Sequence, residues 1–426
     1  MREKIYSAVG LLLITSGVLV DRSLSTKILG FGIVEIGTNS TFVLALSLSM
    51  VFVGCITILL RRRKIISKIY LSIFCSTLLL LFFEWYLSIF NPQVFEDNHA
   101  QLFRYDQNLG WAYIRSGAAR LDSAGEYQVD IKINSQGQRD KEYSVVKPAD
   151  TQRIIVLGDS FTSSLDVEDD EIYTEILEKN LPKTEVINFG VNGYGPLQEF
   201  IQLRETGIRY APDVVIMTVY VGNDFDDNTG EYDWIAGYQR PIAHLDEHDN
   251  LLITNIPVPQ PVPKARRNVL ISVPRLHLLQ LIKNVFGYKN LLLPPELQLI
   301  HTPITSYHTK RFLLMEKIIQ DMANYCKSQN IRFIIVIAPT ISQVNQKMWE
   351  QTQKSLSLKT ENYDQNLPNN ILVQIGKKNN IEFVDLTGIL KGATAFGQTL
   401  YYPYTRHWNK FGHQKVAEVL TQYLTK

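Results

Sequence analysis

Cysteine is scarce in this 426-residue chain, with Cys55, Cys75 and Cys326 as the whole complement. Three thiols so widely spaced build no disulfide framework, and none has metal-ligand spacing with another. An excess of one charge is also lacking. Lys and Arg number 43 against 42 Asp and Glu, a formal net charge of +1. That balance argues against nucleic acid as the main partner, which would favour a basic surface. No internal repeat is visible. A hydrophobic content of 45% excludes a disordered tail, and the length sets an expectation of two or three structural units.

What the chain does have is apolar runs, gathered in its first ninety residues. Residues 5–20 and 41–60 are free of charge, and 69–90 carries only Glu84. A helix needs roughly 20 apolar residues to cross the hydrocarbon core, since nothing in lipid pairs an open backbone. The second and third runs meet that length; the first is slightly short. Arg2 and Lys4 precede it as they would a cleaved signal peptide, but no small-residue cleavage site comes after it in Asp21-Arg22-Ser23-Leu24. Three transmembrane helices within 1–90 are therefore expected. The cluster Arg61-Arg62-Arg63-Lys64 with Lys68 lies between the second and third runs, and basic loops stay in the cytoplasm. Three crossings then put everything after residue 90 outside the cytoplasmic membrane, in an extracytoplasmic or periplasmic position.

From residue 91 the pattern is that of an α/β protein. Residues 91–150 read as a connector packed against the sheet, with a strand-like 129–133 and a turn-rich 134–140. Strands are expected at 153–157, 185–188, 213–220, 333–338 and 383–386. Helices are expected at 171–181, 196–210, about 307–328 and from about 409. This alternation implies a parallel sheet covered on both faces. A Pro-rich stretch at 256–263 falls within an insertion at about 226–306, since such a segment continues neither a helix nor a central strand.

Ligands of open α/β sheets bind at the carboxyl ends of the strands, so the residues just past each strand are informative. The first strand leads into Gly158-Asp159-Ser160, the second into Asn188-Phe189-Gly190-Val191-Asn192-Gly193-Tyr194-Gly195, and the third into Gly222-Asn223-Asp224. His407-Trp408-Asn409 precedes the last helix. Each piece alone reads as a turn or a helix cap. The glycines at 190, 193 and 195 come after the wrong strand for a dinucleotide fingerprint. Together the pieces supply an acyl-transfer site. A serine at a strand end attacks an ester carbonyl if a histidine removes its proton. The oxyanion that forms needs preorganised donors, and the backbone N–H groups of Ser160 and Gly193 with the Asn223 amide provide three.

These four blocks, in this order, resemble the SGNH (GDSL-like) hydrolase family over about residues 150–426. The resemblance implies a flavodoxin-like three-layer α/β/α sandwich that attacks ester or acyl linkages without a metal or other cofactor. It implies Ser160 as nucleophile, Gly193 and Asn223 as oxyanion-hole donors with Ser160, and His407 as base. One position departs from the family's pattern. The aspartate expected two or three residues before the histidine is replaced by Thr405 and Tyr404. A hydroxyl or carbonyl near Thr405 orients His407 as a Ser–His dyad, or a distant carboxylate such as Asp385 or Asp224 swings in, or the site is impaired. His413 is the alternative base, although its place inside the final helix suits packing.

His244-Leu245-Asp246-Glu247-His248 matches the H-x-x-E-H zinc signature. That chemistry requires a helix, whereas Pro241 and Asp249-Asn250 favour a loop or hairpin, so no metal is expected. The combined expectation is a membrane-anchored serine esterase or deacylase whose partner is an acylated small molecule, envelope polysaccharide or lipid. An O-acyltransferase with the same residues and a non-catalytic binding protein of the same fold are the alternatives.

Overall fold

The computed structural model describes residues 64–90, 99–123, 126–230, 237–261 and 295–426, with isolated positions outside these ranges. The chain divides into two compact units, Met1–Phe95 with Pro263–Asn290, and Glu96–Val262 with Leu291–Lys426. In the first unit the run 69–90 falls within helix α1, Lys64–Phe90. The side chains from Leu78 to Phe83 are 46–60% exposed although all six are apolar. Glu84 accepts the Leu278 N–H at 2.9 Å. The runs at 5–20 and 41–60 lie mostly outside the described residues. Counted over the described residues alone, no helix is long and apolar enough to cross a membrane.

The second unit opens with two antiparallel hairpins. Strands β1 (Phe103–Asp106) and β2 (Gly110–Tyr113) form one, and β3 (Ala118–Ser123) and β4 (Tyr127–Lys132) the other. The main sheet comes next as β5 (Gln152–Gly158), β6 (Thr184–Asn188), β7 (Val214–Tyr220), β10 (Arg332–Ala338) and β11 (Glu382–Asp385). A further hairpin, β8 (Ile242–Leu245) with β9 (Leu251–Thr254), lies between β7 and β10 in sequence. All pairings in the main sheet are parallel, in the spatial order β6-β5-β7-β10-β11. Counted from the first sheet strand this is 2-1-3-4-5, the flavodoxin-like doubly wound order. The expected parallel α/β sheet is present, and the five expected strands match its members to within a residue or two at their ends.

Successive strand residues point to opposite faces, and both faces are dry. Ile155, Leu157, Val215, Met217, Ile335 and Ile337 share one core with apolar residues of three helices. Those helices are α4 (Pro196–Glu205), α5 (Ser306–Ser328) and α6 (Leu367–Asn379). Ile154, Val156, Val214, Ile216, Ile334 and Val336 share the other with Tyr173, Leu177, Val416 and Leu420. The latter four belong to α3 (Tyr173–Asn180) and α7 (Lys410–Leu424). A single turn of helix, α2 (Ser160–Ser163), completes the first crossover.

One part of the connector lies against the sheet, where Tyr143 shares a core with Ile155, Leu157 and Ile187 and donates its hydroxyl to the Val186 carbonyl at 3.1 Å; its hairpins pack elsewhere. Trp111, Tyr113, Leu121, Val129 and Ile131 of the first two hairpins form a third core with Leu165, Val191, Tyr194 and Leu197. These partners belong to the segments that come after β5 and β6, not to sheet strands. The hairpins bury their apolar surface on the loops at the strands' carboxyl ends and on α4 and α5, through Leu197, Ile201, Leu314 and Ile318. Within the expected insertion, Ala243 of β8 joins this third core.

Candidate active site

Ser160 stands immediately after Asp159, at the carboxyl end of β5 and the start of α2. Asp159 caps that turn by accepting the Phe161 N–H at 2.8 Å, which fixes the angle at which the serine leaves the strand. The central strands β5 and β7 are neighbours, so the segments after them converge at the point where the strand order reverses.

His407 reaches this point from the far end of the chain. Its Nε2 lies 2.9 Å from Ser160 Oγ, although the two residues are separated by 247 positions. Its Nδ1 faces the carboxylate of Asp166, which is 3% exposed. Phe161 supplies an edge contact with the ring at 5.2 Å between centroids. The backbone on either side is fixed by the Tyr402 N–H donating to the His407 carbonyl at 2.9 Å and by a bridge between Tyr401 and Trp408. A hydroxyl, an imidazole and a carboxylate thus stand in line.

The carboxylate at Nδ1 is none of those expected from the sequence. Thr405 and Tyr404 donate their backbone N–H groups to Glu126 at 2.9 and 2.7 Å. Asp224 accepts the Tyr220 N–H at 2.8 Å, and Asp385 the Thr387 N–H at 2.9 Å. The group beside the imidazole is Asp166, six residues beyond the serine in the same crossover. No fixed spacing to His407 marks it, since the two residues lie 241 positions apart. In the sequence it is one carboxylate just past Ser163-Ser164-Leu165, among several before the next helix begins.

Asn223 is buried at the carboxyl end of β7, where its Nδ2 donates to Asp227 at 2.5 Å. Its amide also interacts with the Asp159 carboxyl, next to the serine. Gly193 lies in the segment after β6 with φ of +75°, a left-handed conformation that glycine adopts without steric cost. That segment is seated against α2. A Cβ at Gly190 would stand 2.4 Å from the Ser163 backbone nitrogen. Asn192 is held by the Trp111 indole, which donates to its carbonyl at 3.0 Å, and by the hydroxyls of Tyr113 and Ser163.

Burial alone would pull the His407 pKa down, but the Asp166 charge and hydrogen bond, with Asp159 and Glu126, raise it above its ordinary 6.5. His413 stacks on Tyr173 at 5.9 Å in the core, and burial lowers its pKa to about 3. It has the Asp166 charge as its one raising influence and no hydrogen bond from it, with the Arg139 and His407 charges opposing. Around the site, burial and the neighbouring Asp159 charge push Glu199 well above the carboxylate range, and Asp224 has the same pattern. An open cleft of about 340 Å³ adjoins Asp166, with Glu126, Tyr127, Tyr402 and Phe411 among its walls.

The H-x-x-E-H segment is a hairpin, as its flanking residues suggested. His244 pairs with Leu252 across β8 and β9, and His248 donates its backbone N–H to Asp246.

No protein-family model and no curated protein matches this sequence. The chain is similar to the solved structure of an acetyl xylan esterase, with 15% identity, 64% of this chain and 98% of that one covered, and a TM-score of 0.35. It is also similar to a member of the lipolytic G-D-S-L family from Veillonella parvula (13% identity, 65% and 100% covered, TM-score 0.36). A catalytic mutant of an acetylxylan esterase from Geobacillus stearothermophilus gives 14% identity, 65% and 95% coverage and a TM-score of 0.35. Likenesses this slight leave the assignment to the chain's own geometry.

The charges around the site set two outcomes. In histidine-labelled protein the His407 ring titrates above 6.5 by NMR, and Asp166→Asn moves that titration downward because the attracting charge is gone. Glu199 ionises in the unfolded chain before it does so in the fold, so its burial lowers stability as pH rises above the ordinary Glu range. The melting temperature of Glu199→Gln relative to the native chain therefore increases between about pH 5 and pH 8. A difference that stays flat or reverses contradicts a buried, protonated Glu199.

Proposed function

We propose that this chain is a serine hydrolase of SGNH type, an esterase or deacylase, with Ser160 as nucleophile, His407 as general base and Asp166 as the orienting acid. The observation that carries the reading is the 2.9 Å contact between Ser160 Oγ and His407 Nε2, with Asp166 on the opposite side of the ring. An alkyl hydroxyl is a poor nucleophile, and an adjacent imidazole held in the correct tautomer relieves that deficit.

The reaction proceeds in two halves. Ser160 Oγ attacks the ester carbonyl carbon while His407 Nε2 takes the hydroxyl proton, and the carbonyl electron pair moves onto oxygen. That oxyanion is received by the backbone N–H groups of Ser160 and Gly193 and by the Asn223 amide. Collapse breaks the bond to the alcohol, which leaves with the proton returned by His407. Water then repeats the sequence on the acyl-serine and releases a carboxylic acid. Asp166 stays ionised throughout and steadies the imidazolium.

The substrate in this reading is an acylated polysaccharide or lipid of the cell envelope. The chain is anchored in the cytoplasmic membrane by helices within 1–90, with the hydrolase unit on the outer side. Support for anchoring comes from the three apolar runs, the basic cluster at 61–64 and the apolar side chains that α1 leaves exposed. A sugar hydroxyl in place of water converts the same acyl-serine into an acyl transfer, and product analysis with a sugar acceptor present separates the two.

A fluorophosphonate probe labels the native chain, and labelling disappears in Ser160→Ala. His407→Ala slows it by at least about 10³-fold, and Asp166→Asn by up to about 10⁴. Labelling that persists in Ser160→Ala, or none in the native chain from pH 6 to 9, defeats the hydrolase reading. A reporter fused after residue 426 is active only in its extracytoplasmic form; cytoplasmic activity refutes the orientation.

A further inference from the structure

The triad acid lies on a crossover, between α2 and α3, with no secondary structure of its own to fix it. Ser164 breaks the path with φ of +57°, and only a short 3₁₀ turn, Asp169–Glu171, precedes α3. Something else must hold Asp166 to the tolerance that a proton relay demands.

That support comes from the segment before the sheet. Arg139 is 1% exposed, and its guanidinium is directed into this crossover. One terminal nitrogen donates to the Ser163 carbonyl at 3.3 Å and also to the Ser164 carbonyl. The other donates to the Val167 carbonyl and pairs with Asp169 at 3.3 Å. The planar fork therefore grips the backbone on both sides of Asp166, three carbonyls and a carboxylate at once. A lysine ammonium has no such geometry.

Arg139 is itself preorganised. The Asn134 side chain accepts the N–H groups of Gln136 and Gln138 at 3.0 and 2.9 Å and donates to the Gln138 side chain at 3.0 Å, which closes the turn. Asp140, the next residue, accepts the Asn188 N–H at 2.8 Å at the carboxyl end of β6.

We propose that Arg139 is a positioning residue, which holds the crossover so that Asp166 stays against His407. This rests on the hydrolase reading for its consequence in catalysis, but the geometric claim stands apart from it. The test reads the His407 titration, because a side chain that only stabilised the fold would leave it unmoved. The titratable groups facing His407 are Asp166 from the crossover, Asp159 from the end of β5, Glu126 from the β3–β4 hairpin and His413 from α7.

Two variants of the full-length chain separate charge from grip. Arg139→Lys keeps the cation but cannot span the carbonyls. Arg139→Gln removes the cation, and charge loss alone would raise the histidine pKa. If Asp166 is released, the His407 titration and the acid limb of probe labelling move to lower pH in both variants. Labelling at the plateau falls by about 10²-fold, the scale of a small misplacement in a catalytic group. An unmoved titration in Arg139→Lys, or an upward shift in Arg139→Gln, overturns the proposal even where melting temperature has dropped. Should the native chain fail to label, the hydrolase reading falls. The NMR titration of the ring still decides on Arg139.

Discussion

The site depends on one constraint: an imidazole must be held at both nitrogens at once. Ser160 meets Nε2 and Asp166 meets Nδ1, so the ring can neither rotate nor change tautomer without losing a partner. The first partner stands at a strand end and is as rigid as the sheet. The second stands on a crossover, and His407 itself on a loop before the last helix. The sheet alone does not fix all three groups.

The supplement comes from residues that precede the first sheet strand. Trp111 and Tyr113 hold Asn192, one residue before Gly193. Glu126 holds the backbone two and three residues before His407. Arg139 holds the carbonyls around Asp166. These contacts reach three separate loops, all at the carboxyl ends of the strands. The same hairpins bury apolar surface there and on the adjoining helices α4 and α5.

Charge is handled in the same region by burying guanidinium groups rather than by leaving the carboxylates to solvent. Arg240 pairs with Asp227 at 3.0 Å, and Arg311 pairs with Asp226, with all four side chains at most 2% exposed. Buried pairs of this kind are weak evidence of net stability, because desolvation offsets much of the attraction. Their effect here is directional. Asp227, held by Arg240, accepts one N–H of the Asn223 amide and so fixes which end of that amide carries the donors.

The chain's own pattern determined the parallel sheet, its five strands and the loops that carry Ser160, Asn223 and His407. Alternation of buried strands and amphipathic helices is local information, and ligand loops lie at strand ends by topology. The role of Asp166 was not legible, because a carboxylate six residues from a serine has no periodic signature. It meets the imidazole only when His407 arrives from 241 positions farther along. The hairpins of the connector were legible as strands in part, but not as braces. Which side chains meet across hundreds of residues is settled by packing in three dimensions. Local pattern sets the residues available for contact; only the folded arrangement selects the pairs.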